Sequence, residues 1–264
     1  MASVSKVKVE NDLKQAIAKA VEEIGGFGKF INKGEVVFLK PNFNTADPFP
    51  ASTDRGFLKA VVELVYECGA KLVMIGESST MTLNSRKVME QLDIFSLEKA
   101  KLSPRIYPLE GGEWVKKEIP QGKYLESVHL PEILDRADKV IFLPCLKTHK
   151  YAQFTGSLKL AVGLMKPIER VSLHARNLQE KIAELNTIIK PDLIIMDGRK
   201  CFVNEGPSEG ELTEPGLILA SENRVAIDVE GIKIIQSFPG NSLKGIDPWE
   251  LPQIKRAVEL GLDV

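Results

Sequence analysis

The stretch "EVVFLKPNFNTADPFPASTDRGFLKAVVELVYECGAKLVMIGE", Glu35 to Glu77, decides the fold class. "EVVFLKPN" is a short apolar run with β-branched residues that stops at Pro41, the pattern of a strand buried on both faces. "ADPFPASTDRG" is a proline-rich loop, and Thr53 or Asp54 can cap the helix that follows. Leu58, Val61, Val62 and Val65 fall on one helical face between Arg55 and Cys68, and Gly69 ends that helix. "KLVMIGE" is the next strand. Strand, helix and strand in this order form a parallel pair with a right-handed crossover. The expected fold is α/β, a mainly parallel sheet with helices on both faces, in a single domain spanning residues 1–264.

The flanks extend the pattern. Upstream, Asn11 reads as an N-cap, and Leu13, Ile17, Val21 and Ile24 recur at helical spacing before Gly25-Gly26. Downstream, Asn84 to Leu92 reads as a helix. "RIYPLEGGEWVKKEIPQGKYLESVHL", Arg105 to Leu130, has short alternating runs broken by Gly111-Gly112 and Pro120-Gln121-Gly122. These are β-hairpin signals, placing a β-rich sub-lobe or an extension of the sheet at residues 103–130. "PEILDRAD" reads as helical and "KVIFLPCL" as one buried strand. A helix from Leu178 to Ile189 stops before Pro191, "DLIIMDG" and "GLILAS" are strands, and "NRVAIDVEGIKIIQ" and "DPWELPQIKRAVELG" are helices.

Composition narrows the function classes. The 264 residues carry a formal charge of -1, with 44% hydrophobic and 27% charged residues, ordinary for a globular chain. There is no basic footprint for nucleic acid. No run approaches the roughly 20 apolar residues of a membrane helix, and the N-terminus lacks an apolar signal core. The expectation is a cytoplasmic protein with neither membrane nor nucleic-acid partners; no oligomeric state is implied. Cys68, Cys145 and Cys201 are widely spaced with no C-x-x-C, so no iron–sulfur cluster is expected, and Cys68 and Cys145 read as packing residues.

Several apolar strands end in polar residues. In parallel α/β sheets the carboxyl ends of strands converge on one edge, where ligands bind. Lys40, Asn42, Glu77, Ser78, Lys147, His149 and Asp197 are therefore expected to share a cleft, with Asn204 lining it from the polar loop "MDGRKCFVNEGPSEG". Taken singly, each also fits turn or surface-loop chemistry. "GSLKLAVGL" places Lys159 among small apolar residues. Burial there lowers a lysine's pKa and makes its amine nucleophilic; the alternative is a lysine snorkelling from a helix end. His174 follows fifteen residues later, either a structural helix residue or a proton carrier and metal ligand. Asp228 lies within an apolar helical pattern and needs a lysine or a backbone donor as partner. Phosphate-loop, nucleophile-elbow and H-E-x-x-H patterns are absent.

"VVFLKPN", Gly76-Glu77, "LPCLKTH", "GSLKLAVGLM", His174, "PDLIIMDG", "NEGP" and "NRVAIDVEGIKI" occur in the order seen in the family called domain of unknown function 362, over roughly residues 30 to 240. This resemblance is specific because many motifs keep their order; it implies no settled activity. A weaker similarity is to the nickel-pincer lactate racemases. It implies that Lys159 holds a cofactor covalently, His174 binds nickel and His149 moves protons or hydride. The second of the two gaps is one residue shorter than in that family. The racemases' other catalytic histidine falls where this chain has Glu77, Ser78 and Ser79, and their Asp-x-Thr-Arg-Pro signature is replaced by "KPNFNTAD".

The favoured function is an enzyme acting on a small anionic metabolite at the carboxyl ends of the strands. Lys40 and Lys147 would hold the anion and Asn42 would orient it. His149 would act as general acid or base, with Lys159 as nucleophile, cofactor anchor or electrostatic clamp. His174 would be a second proton carrier or the ligand of a divalent metal ion, the candidate cofactor. The alternatives are a ligand or cofactor carrier without turnover and an interaction scaffold without a small-molecule site.

Overall fold

The structure is a computed structural model that describes residues 3–262. Strand β1 (Ser5–Lys8) leads into helices α1 (Leu13–Glu22) and α2 (Phe27–Phe30). The crossover unit follows as β2 (Val36–Lys40), α3 (Arg55–Glu67) and β3 (Leu72–Glu77). Then come α4 (Ser85–Gln91), β4 (Arg105–Pro108), β5 (Trp114–Glu118), β6 (Ser127–Pro131), β7 (Lys139–Phe142), β8 (Cys145–His149) and β9 (Gln153–Thr155). Three helices follow, α5 (Ser157–Leu160), α6 (Arg170–Ala175) and α7 (Leu178–Leu185). The chain closes with β10 (Leu193–Phe202), β11 (Leu212–Thr213), β12 (Leu217–Ser221), α8 (Arg224–Gln236) and α9 (Pro252–Glu259).

The sheet runs β1-β12-β10-β7-β2-β3-β4. β10, β7, β2, β3 and β4 pair in parallel, and β12 is antiparallel to both β10 and β1. Alternate residues of each strand enter opposite cores. Val37 and Leu39 face α1 and α3, whereas Phe38 faces the side that holds α7, α8 and α9. Helices therefore cover both faces, as the buried apolar strands require. Phe57, Leu58, Val61, Val62 and Val65 bury one face of α3. Each contributes roughly 1.5–3 kcal/mol as an upper estimate. Asp54 caps α3 by accepting from the Phe57 N–H at 2.8 Å. No described helix is long and apolar enough to cross a membrane.

Several local expectations are corrected. The N-cap of α1 is Asp12, not Asn11; its carboxylate accepts from Gln15 at 3.0 Å. "KVIFLPCL" is not one strand. It breaks at Leu143-Pro144, because proline has no N–H to continue the ladder. β7 pairs the start of β10, and β8 pairs its far half and turns back into β9. "PEILDRAD" forms a 3-10 turn, Glu132–Arg136, rather than an α-helix. The helix from Leu178 ends at Leu185, short of Ile189. In the middle region β5 and β6 do form an antiparallel hairpin, but Arg105–Pro108 joins the main sheet as a parallel edge strand. Cys145 is buried, whereas Cys68 is only partly so.

Candidate functional site

The ends of β2 and β3 and the alternate residues Lys147 and His149 of β8 deliver polar side chains to one hollow of about 440 Å³, completed by α5, α6 and the 207–208 loop. Of the residues singled out in the sequence, Lys40, Asn42, Glu77, Ser78, Lys147, His149, Lys159 and His174 all line it. Asp197 and Asn204 do not. Asp197 is fully buried and held by Arg199, which also reaches Asp54 at 2.9 Å. Asn204 braces its own loop, accepting from the Glu211 N–H and donating to Glu211 and the Gly240 carbonyl.

Lys40 and Glu77 form a buried ion pair at 2.6 Å. Glu77 also accepts from the N–H groups of Phe43 and Ser78, and Lys40 donates to the Pro41 carbonyl. Burial lowers the Lys40 pKa against the opposing pull of Glu77. Gly163 lies against this pair; a Cβ there would overlap Glu77 Oε1 and Lys40 Nζ. Lys40 is thus committed to the protein, not free to hold an anion. Asn42 likewise braces the loop, donating to the Ala51 carbonyl.

Three further cations face the hollow. Lys147 Nζ donates to the carbonyls of Pro50 and Ala51. Arg170, invisible as a candidate in the sequence, donates to the carbonyls of Gly163, Met165, Ser78 and Ser79 and to no carboxylate. Lys159 has no hydrogen bond or ion pair among the described residues. Burial, reinforced by repulsion from Lys147 and Arg170, pushes Lys159 down to about 8; burial pushes Lys147 to about 8 as well. With one carboxylate against four cations, the hollow carries a strong positive field in a partly desolvated setting.

The two histidines leave the same nitrogen open, Nε2, but differ in whether it carries the proton. His149 Nδ1 accepts from the N–H groups of both Tyr151 and Ala152, at 3.1 Å each, so its proton sits on Nε2. Burial and the surrounding cations push His149 down to about 2, so it stays neutral. His174, exposed at the rim, places Nδ1 2.7 Å from the Arg170 carbonyl, which only an N–H can satisfy; its lone pair is on Nε2. Burial lowers its pKa too.

Two hydroxyls in the lining, Ser78 Oγ and Thr155 Oγ1, are buried without hydrogen-bond partners. Each costs roughly 1–3 kcal/mol when left unsatisfied. Below the hollow, Asp228 accepts from the N–H groups of Ser157 and Leu158, fixing the turn that carries Lys159. Its partner is thus backbone, not lysine, and burial raises it to about 7. A Cβ at Gly156 would overlap this carboxylate.

The pattern of the family described as Domain of unknown function (DUF362) matches residues 37–233, well over half of the chain and every strand end that lines the hollow. The chain belongs to this family. Over 259 residues it is 29% identical to the thylakoid-associated protein sll1697 of Synechocystis, covering 95% of this chain and 76% of that one. Among solved structures it resembles a lactate racemase apoprotein from Thermoanaerobacterium thermosaccharolyticum. The TM-score is 0.52 and the identity 10%, over 88% of this chain and 63% of that one. A protein from Thermotoga maritima gives a TM-score of 0.47 and 13% identity, over 95% of this chain and 59% of the other. The chain thus spans less than two thirds of each of these two solved chains, and the likeness to the racemase apoprotein is one of fold.

A racemase-type site does not fit the residues present. The resemblance puts the racemases' other catalytic histidine at Glu77, Ser78 and Ser79, of which Glu77 is already bound to Lys40, and His149 offers a proton at Nε2 rather than a lone pair. No group of three or more His, Cys, Asp or Glu suited to a metal ion occurs among the described residues.

Proposed function

We propose that this protein is an enzyme that moves a proton on a small anionic metabolite bound in the hollow. The observation that supports it most is Lys159, an unpaired ammonium facing a space whose other cations are tied to the protein. Lys159 and Lys147 would supply the attraction for a carboxylate or phosphate. His149 would donate from Nε2–H to a ligand oxygen, and His174 would accept a proton at Nε2. A base beside a neutral donor suits proton removal next to a carbonyl, because the donor stabilises the charge that develops on oxygen. Of the general acid or base roles expected from sequence, this reading keeps for His149 only that of a proton or hydrogen-bond donor. A divalent metal ion would use the same His174 lone pair, so metal and proton compete there. A cytoplasmic location is part of this reading.

His174→Ala or Lys159→Ala should abolish turnover or anion binding while leaving the melting temperature nearly unchanged. Native mass spectrometry of freshly purified protein separates the alternatives. A stoichiometric ligand that is retained but never consumed indicates a carrier; variants that alter neither binding nor rate indicate a scaffold.

A further inference from the structure

Of the eight described large apolar side chains that are well exposed, five lie on three short segments that also supply the hollow. Met81 and Leu83 follow Ser78, Tyr151 follows His149, and Ile168 and Val171 precede His174. Met81 and Val171, 49% and 51% exposed, line the hollow themselves. Leu160 and Val162 continue the apolar wall inward towards Lys159. The space is therefore graded, with the Lys147 ammonium and two partnerless hydroxyls buried at its floor, and Met81 and Val171 beside the polar Asn44, His174 and Ser208 at its exposed rim. Exposed apolar groups of this kind are a cost to a lone chain unless something covers them.

We infer that the ligand is an amphiphile, an oxyanion carrying a hydrocarbon chain, whose head reaches Lys159, Ser78 Oγ and Thr155 Oγ1 while its chain rests on Met81 and Val171. This rests on the proposed anion site and adds the chemical class. Charge complementarity fixes the head at the cationic floor. Val162, Leu160, Met81 and Val171 share the lining of the hollow with that floor and offer the chain its apolar contacts. The hydroxyls complete the head because each is nine-tenths buried and has no bond within the protein. A free inorganic anion would use the floor and leave the mouth uncovered.

Binding of acetate, butyrate and octanoate to the full chain, by calorimetry below the micelle threshold, tests this. Affinity should rise roughly two- to fourfold per methylene along the series. The neutral double variant Met81→Ser with Val171→Ser should bring octanoate close to acetate and leave acetate unchanged. Ser78→Ala and Thr155→Val should weaken all three acids alike. A flat series, or a rise that survives the double variant, overturns the amphiphile inference while the anion site stands. Failure of every acid to bind, with orthophosphate failing too, removes the anion site itself. Loss of self-association in the double variant, with the series flat, assigns the mouth to a second copy of this chain and also overturns the inference.

Discussion

His149 and His174 present the same nitrogen to one hollow in opposite states: Nε2–H from the first, a bare Nε2 from the second. Nothing in the ring chemistry makes them differ. The difference comes from the backbone, since a turn of two N–H groups grips one Nδ1 and a helix carbonyl grips the other. Nitrogen-15 NMR of labelled imidazoles should show the proton on Nε2 in His149 and on Nδ1 in His174 at neutral pH. His149 should show no titration between pH 4 and 9; a midpoint near the ordinary histidine value would defeat the assignment.

Anion affinity should depend on the lysines. Both Lys147 and Lys159 lie near 8, so they are ammonium groups below that pH and lose their protons above it. Binding of an anion selects the protonated form. Affinity for phosphate or a carboxylate should therefore be level below pH 7 and fall above about 8, by up to tenfold per pH unit for each lysine coupled to binding. Lys159→Met should remove most of the slope along with most of the affinity.

Gly163→Ala should destabilise the fold by roughly 1–3 kcal/mol, since the added methyl displaces the Lys40–Glu77 pair. Lys40→Met, which leaves Glu77 buried without its cation, should cost about 3–5 kcal/mol. Pairing Lys40→Met with Glu77→Leu should recover part of that loss. Urea denaturation checks all three; equal costs for the single and double variants would show that the pair is not the issue.

The buried carboxyl of Asp228 lies near 7 when folded, above its usual 3.8. Its protonated form is favoured by folding, so this contribution to stability is complete below the unfolded pKa and is lost as pH rises through about 7. Asp228→Asn should flatten the stability profile across pH 4–7. An unchanged profile would place that dependence on another group.

The convergence of Lys40, Glu77, Lys147 and His149 was legible because parallel strands share a carboxyl edge, and polar residues after apolar runs mark that edge; Lys159 and His174 stood out instead by an apolar setting and by their spacing from His149. The placement of Asp197 by the same rule failed for a physical reason. β10 does not end there but runs on to Phe202, so Asp197 is a strand-interior residue paired with Cys145 and Ile218. Arg170 and Thr155 carried no periodic or motif signal; their roles arise from contacts across distant segments. Sequence could show that "LPCLKTH" was apolar before it was polar, but not that Pro144 divides it between two partners. The hairpin region was legible from its glycines, whereas its first run was drawn into the main sheet by pairing with β3.

Arg170 spends its donors on carbonyl oxygens, and a guanidinium keeps its charge where lysine amines lose theirs. Even in alkaline buffer, with both neighbouring amines discharged, the interior keeps the Arg170 cation, whose nearest carboxylates, Glu77 and Glu110, act on it only through space. On the proposed anion site, the salt the protein is prepared in is expected to compete for the chamber. Chloride, phosphate and sulfate stocks are then expected to act as competitors of graded strength rather than as inert background.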